Sequence, residues 1–203
     1  MIAIIDYGAG NLFSVKNALD YLGDSNIITS NADEIRRADA LILPGVGAFP
    51  DAMKKLNESG LASVLREEVK KKPLLGICLG MQALFEKGCE FTETKGLGLI
   101  PGRVDLIRFR EGESYKLPHI GWNQLEILKP SALLKGLKTG DSVYFVHSYM
   151  AYTDPEFITA VCDYGRPVTA FVERGNVYGA QFHPEKSGEV GLEILRNFGG
   201  LVK

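Results

Sequence analysis

Apolar residues in the first half of the chain fall alternately into short unbroken runs and into helically spaced sets. Residues 2–6 begin a β-rich run that Tyr7-Gly8-Ala9-Gly10 ends. Leu12, Val15, Leu19 and Leu22 then recur every three or four positions, which predicts one helix over 12–22. Residues 26–29 and 40–43 read as further strands, the latter stopped by Pro44-Gly45. Helical spacing returns over 50–56 and 61–71, a wholly apolar strand over 73–77, and a helix over 79–87. Apolar strands alternating with amphipathic helices imply a parallel sheet covered on both faces.

From Gly98 onward the pattern changes. Strand-like runs at 104–109, 124–128, 143–146, 158–162, 168–173 and 177–182 follow one another with few helical stretches between. Arg174-Gly175-Asn176, between two alternating runs, is a hairpin signal. These runs predict antiparallel strands returning to the main sheet, closed by a helix over about 188–198. No repeat, low-complexity segment or linker divides the chain. The expectation is one α/β domain over 1–203, with a mostly parallel central sheet and added antiparallel strands.

Composition narrows the classes. Twenty-three basic and 25 acidic residues leave a net charge of −2, which is no footprint for nucleic acid. No apolar run approaches membrane-spanning length, and the N-terminus has no basic region before its first strand. Cys78, Cys89 and Cys162 are odd in number and far apart, so they suggest neither a disulfide framework nor a zinc cluster. A reducing cytoplasm is the simplest compartment. Gly8-Ala9-Gly10 opens a helix after a strand, but Phe13 breaks the dinucleotide fingerprint, and no cofactor is expected.

The chemistry concentrates at Gly76-Ile77-Cys78-Leu79-Gly80. A strand entering a Gly-x-Cys-x-Gly turn and a helix leaving it form the thiol version of a nucleophile elbow. The following helix points its amides and positive dipole end at the sulfur. Taken alone, Cys78 reads equally well as a packed structural thiol. A thiol nucleophile needs a base and a group that orients the base. Among three histidines, His183 follows the last strand, and Glu185 stands two residues on. Reactive groups in such sheets gather outside the carboxyl ends of the strands, where Cys78 and His183 can meet. Acyl chemistry also needs oxyanion donors: the N–H of Leu79 is one, and the glycine-rich strand exit at Leu43-Pro44-Gly45-Val46-Gly47 offers a second.

Pro44-Gly45-Val46-Gly47, Gly76-Ile77-Cys78-Leu79-Gly80-Met81-Gln82 and His183-Pro184-Glu185 together resemble the class I, triad-type glutamine amidotransferases. Asp6-Tyr7-Gly8-Ala9-Gly10-Asn11, Pro118-His119-Ile120-Gly121-Trp122-Asn123, Tyr144-Phe145-Val146-His147-Ser148-Tyr149 and Lys186-Ser187 make the chain similar to their branch of glutaminase subunits of imidazole glycerol phosphate synthases. The resemblance implies a flavodoxin-like fold and a catalytic triad of Cys78, His183 and Glu185. It implies an oxyanion hole from the amides of Val46 and Leu79, the former reached by a flip of the Gly45-Val46 peptide. Glutamine would lie against Gly47 and Gln82, with Ser148 and Tyr149 near its α-carboxylate and Glu90 near its α-amino group.

The resemblance also implies a partner, a (β/α)8-barrel cyclase that receives ammonia through a protected path and makes imidazole glycerol phosphate. Trp122 and Asn123 would lie at that interface, and Lys186 would ion-pair across it. Without the resemblance, Trp122 reads as a core aromatic and Lys186 as a solvated charge. His119 and His147 read as interface or packing histidines, since no cluster of partners has metal-ligand spacing. A glutaminase of another pathway, and a non-catalytic module with Cys78 as a redox sensor, are the competing readings.

Overall fold

In the computed structural model, which describes residues 1–109, 112 and 115–202, the first half runs strand–helix–strand as the apolar pattern implies. Its elements are β1 (Ile2–Ile5), α1 (Leu12–Tyr21), β2 (Asn26–Thr29), α2 (Ala32–Arg37), β3 (Ala40–Gly45), α3 (Phe49–Glu58), α4 (Leu61–Glu68), β4 (Leu74–Cys78) and α5 (Leu79–Ala83). The second half carries β5 (Phe85–Gly88), β6 (Thr94–Lys95), β7 (Ile100–Leu106), β8 (His119–Ile127), β9 (Ser142–His147) and β10 (Tyr149–Tyr152). It closes with β11 (Ile158–Asp163), β12 (Pro167–Arg174), β13 (Val177–Ala180) and α6 (Gly188–Gly200).

Nine strands form the main sheet in the order β2-β1-β3-β4-β13-β12-β11-β8-β9. From β2 to β13 every pairing is parallel; from β13 to β9 every pairing is antiparallel. The period-2 side-chain alternation of a strand divides the core between two faces. Ile2 and Ile4 of β1 and Ala40 and Ile42 of β3 pack with Val15, Leu19, Ile194 and Phe198 of α1 and α6. Ala3, Ile5, Leu41 and Leu43 face the other way, against Ile35, Met53, Leu56 and Leu65 of α2, α3 and α4. Burial on both faces is why these strands are apolar throughout rather than alternating.

Three sequence expectations change, and one helix was not anticipated. The helix expected over 79–87 stops at Ala83, and Phe85–Gly88 is a strand. Phe85 is fully buried, and the segment pairs with β7 and β6, so long-range pairing overrides helical spacing there. Not every later strand returns to the main sheet, since β10, β7, β5 and β6 form a separate four-stranded sheet. Its Phe85, Ile100, Val104 and Ala151 pack in the same apolar cluster as α3. The strand after the Arg174-Gly175-Asn176 turn pairs antiparallel with β12, as a hairpin should, but runs parallel to β4. Finally, α2 carries no strong apolar signature; the Asn31 side chain caps it, accepting from the Asp33 N–H at 2.8 Å.

Candidate active site

The β4–β13 pairing aligns Ile77 with Ala180, so the residues just past both strands emerge side by side. Cys78 is the turn residue, with φ 54° and ψ −112°. A left-handed φ in a non-glycine residue costs about 1–3 kcal/mol and persists only where the surroundings impose it. Two close approaches impose it. A Cβ on Gly80 would sit 1.7 Å from the Leu43 carbonyl oxygen, and one on Gly76 would sit 2.7 Å from Gly80 O. Glycine at 80 lets the turn pass this tightly against β3, and glycine at 76 lets the start of α5 lie this close over β4. The α5 helix that follows is five residues long, so it gives the sulfur a shorter dipole than the expected helix over 79–87.

Cys78 opens onto a cavity of about 300 Å³. Its walls include Val46, Gly47, Leu79, Gln82, Glu90, Ser148, Tyr149 and His183, all residues singled out from the sequence. Pro118, Val146 and His147, to which the sequence assigned no role in the site, complete the lining. The Val146 carbonyl lies 3.9 Å from Cys78 Sγ, as does the Nε2 of the fully buried Gln181. The signal for the missed residues was their adjacency to predicted ones, with Val146 and His147 directly before Ser148.

His183 begins a 3₁₀ turn over Pro184–Lys186. Its Nδ1 lies 2.8 Å from Glu185 Oε1, and both side chains are almost wholly buried. The ionised carboxylate can only accept, so Nδ1 carries the hydrogen and Nε2 is the free end. Nε2 is buried without a hydrogen-bond partner among the described residues. Burial alone pulls the imidazole pKa down, but Cys78 and Glu185 beside it outweigh burial and lift it to about 9. An imidazolium beside a sulfur and a carboxylate is the state this arrangement favours.

The remaining walls are held from several elements. Glu90 Oε2 accepts from the Phe49 N–H at 2.7 Å, at the start of α3, which fixes a carboxylate at the cavity rim. Gln82 Nε2 donates to the Tyr149 carbonyl at 3.1 Å and to Gln181 Oε1 at 3.0 Å. Gly45 is paired with Cys78 across β3 and β4, so Val46 and Gly47 leave β3 abreast of the thiol. Val46 is 46% exposed, and Gly47 has φ 104° with open space where a Cβ would be.

Trp122 is not a core aromatic, because it is 57% exposed; its ring meets Tyr144 edge to face at 6.0 Å. The Tyr144 backbone in turn binds His183 N–H and Ser187 Oγ, which brings β8 and the exposed Lys186 to one side of the site. Asn123 is half-buried, with its side chain between His119 and the Asp163 carbonyl.

A thiol on a strained strand exit, beside a buried His–Glu pair on a sheet of this order, is an arrangement for acyl transfer from an amide. The description "Glutamine amidotransferase class-I" matches residues 3–200, and the chain belongs to that family. More particularly, it is 54% identical over 204 residues to the imidazole glycerol phosphate synthase subunit HisH of Bacillus cereus strain B4264, covering 100% of this chain and 96% of that one. The subunit of the same name from Bacillus thuringiensis strain Al Hakam is 52% identical with the same coverage. Among solved structures, a glutamine amidotransferase superposes with a TM-score of 0.76 at 22% identity, over 98% of this chain and 100% of that one. PurLQS from Thermotoga maritima gives 0.72 at 17% identity, over 100% of this chain and 98% of that one. Both show the fold.

Proposed function

We infer that this chain is the glutaminase subunit of an imidazole glycerol phosphate synthase, releasing ammonia from glutamine through a thioester on Cys78. The observation that carries the reading is the buried His183–Glu185 pair next to the strained Cys78 exit, on a chain with full-length HisH relatives. Cys78 Sγ attacks the side-chain amide carbon of glutamine, and the N–H groups of Leu79 and Val46 receive the oxyanion. Collapse breaks the C–N bond while His183 Nε2–H protonates the departing ammonia. Water, deprotonated by the now neutral Nε2, then attacks the thioester. The C–S bond breaks, glutamate leaves and the thiolate returns.

In this reading Gly47, Gln82, Ser148, Tyr149 and Glu90 bind the amino-acid end of glutamine. A cavity of about 300 Å³ suits one small amino acid. Trp122, Asn123 and Lys186 face a (β/α)8-barrel cyclase, which uses the ammonia to form imidazole glycerol phosphate and an aminoimidazole carboxamide ribonucleotide. Sequestration has a physical reason, since ammonia released into neutral water is mostly protonated and no longer nucleophilic. The chain acts as one domain over residues 1–203 in the cytoplasm; no helix of its described residues is long and apolar enough to cross a membrane. The test is glutamate release with the cyclase and its nucleotide present. Wild type should turn over and Cys78→Ala should not; full activity in Cys78→Ala would overturn the reading.

A further inference from the structure

Running back from the cavity wall, His147 and His119 form a buried pair that the reaction above does not use. His147 Nδ1 lies 2.8 Å from the Tyr149 carbonyl, and His147 Nε2 lies 3.1 Å from His119 Nδ1. His119 Nε2 lies 2.7 Å from Asn123 Oδ1, and Asn123 Nδ2 donates to the Asp163 carbonyl at 3.0 Å. Four contacts thus run from the end of β11 across β8 and β9 to the cavity. From Tyr149 O the chain continues through Gln82 Nε2 at 3.1 Å and Gln181 Oε1 at 3.0 Å, and Gln181 Nε2 reaches Cys78 Sγ at 3.9 Å.

The protons along the first four contacts do not suffice. Both ends are backbone carbonyls, which only accept. Two neutral imidazoles bring one N–H each, and the Asn123 amide donates from one end only, so three donors serve four contacts. Burial lowers the pKa of His119 and takes that of His147 down to about 4, so the pair stays neutral near pH 7 and does not take up the fourth proton. The titratable groups facing the pair are His183, Cys78, Glu90 and Tyr149 around the cavity and Tyr164, whose ring stacks on His119 at 3.9 Å. Among the described residues none of them hydrogen-bonds to either imidazole through its side chain. One contact is therefore always acceptor against acceptor, and Asn123 decides whether it is the Asp163 contact or one of the three inner ones. With Nδ2 on Asp163 O, the unmatched contact is Asn123–His119, His119–His147 or His147–Tyr149, according to which nitrogen of each imidazole carries hydrogen. With the amide turned over, both carry it on Nδ1, and His147 donates to Tyr149 O.

We propose that His119 and His147 are positioning residues for the glutamine site, carrying the orientation of the Asn123 amide to the Tyr149 carbonyl and, through Gln82 and Gln181, to the Cys78 sulfur. The proposal rests on the glutaminase reading and adds to it a way for a contact on β8 to reach the thiol. A group that takes Asn123 Nδ2 away from Asp163 frees the amide to turn, and His147 then secures Tyr149 O.

The test uses the full chain with its cyclase for kinetics, and the full chain alone for imidazole nitrogen spectra, which distinguish the two tautomers. In Asn123→Leu two N–H groups serve two remaining contacts. His147 should settle wholly in the Nδ1–H form, and the glutamine KM should fall roughly threefold. His147→Leu should raise KM roughly tenfold. His147→Asn, whose amide nitrogen takes the place of Nδ1, should recover most of that loss. The same tautomer in wild type and Asn123→Leu, or an unchanged KM in His147→Leu, overturns the proposal. A wild type that releases no glutamate while the tautomer still moves overturns the glutaminase reading and leaves the proton arrangement standing.

Discussion

His183 Nδ1 and Glu185 Oε1 lie 2.8 Å apart with side-chain exposures of 2% and 1%, so the pair has left water together. Glu185 Oε2 is buried without a hydrogen-bond partner among the described residues, and the carboxylate is committed to the imidazole. Glu185→Gln removes the charge and lets an amide N–H face Nδ1, which favours the wrong tautomer. We expect kcat for glutamate release to fall by about a hundredfold or more, with a small change in KM. An intact circular dichroism spectrum would show that folding is not the cause, and a variant within twofold of wild type would refute the role.

The same pair sets the alkaline side of the pH profile. His183 has its pKa at about 9, above its ordinary 6.5, because Cys78 and Glu185 outweigh burial. The imidazolium, proposed above to protonate departing ammonia, therefore persists through neutral pH and is lost as pH rises through about 9. Measured kcat should hold to about that pH and then decline. In Glu185→Gln one of the raising contributions is gone, so the residual activity should decline at a lower pH.

The parallel half of the sheet was legible because strands buried on both faces must be apolar throughout, as Ile2–Ile5 and Leu74–Cys78 are. The grouping of the candidate site residues was legible because Cys78 and His183 each follow an apolar run and leave the sheet at neighbouring strand exits. The second sheet was not, since Phe85–Gly88 becomes a strand only through pairing with β6 and β7. The α2 helix was missed although Asn31 and Glu34 stand at capping-box spacing, because only Ile35 of its six residues is buried. The His119–His147 contact joins residues 28 apart on neighbouring strands, and spacing alone does not give cross-strand register.

Glycine is required at the elbow for space as much as for conformation. A Cβ at Gly80 would lie 1.7 Å from the backbone oxygen of Leu43, which cannot move without breaking β3. Gly80→Ala should lower stability by about 3 kcal/mol or more. In thermal unfolding that is roughly 6–12 °C for a chain of this size. Gly200→Ala, where nothing lies within 4 Å, is the matched control and should stay within about 0.5 kcal/mol of wild type. Equal shifts in both variants would refute the steric account.

Glu68 and Lys72, ion-paired at 2.9 Å with side-chain exposures of 6% and 9%, predict an acid-sensitive contribution to stability. Lys72 Nζ also donates to the carbonyls of Ile35 and Arg36, and so ties α4 to the end of α2. The Lys72 hydrogen bond, against burial, holds the Glu68 carboxyl below its ordinary 4.5. A lowered folded-state value means stability is fully present above about pH 4.5 and is lost as pH falls through the lowered value. Lys72→Met should lower stability at pH 7 by roughly 2 kcal/mol and flatten that acid dependence, both read by urea unfolding.

Trp122 separates the needs of the fold from those of a partner. At 57% exposure, with Tyr144 at 6.0 Å as its ring contact, it gives the isolated chain little buried area. Trp122→Ala should change unfolding free energy by less than about 1 kcal/mol. An exposed aromatic of this size earns its place in an interface, where truncating such an anchor costs about 2 kcal/mol or more. Binding of the barrel cyclase should then weaken by roughly thirtyfold, measured by calorimetry with matched subunits. Lys186→Ala should give a smaller loss that shrinks further in high salt, as an ion pair requires. A Trp122→Ala chain that binds the cyclase like wild type would place the docking face elsewhere than on β8.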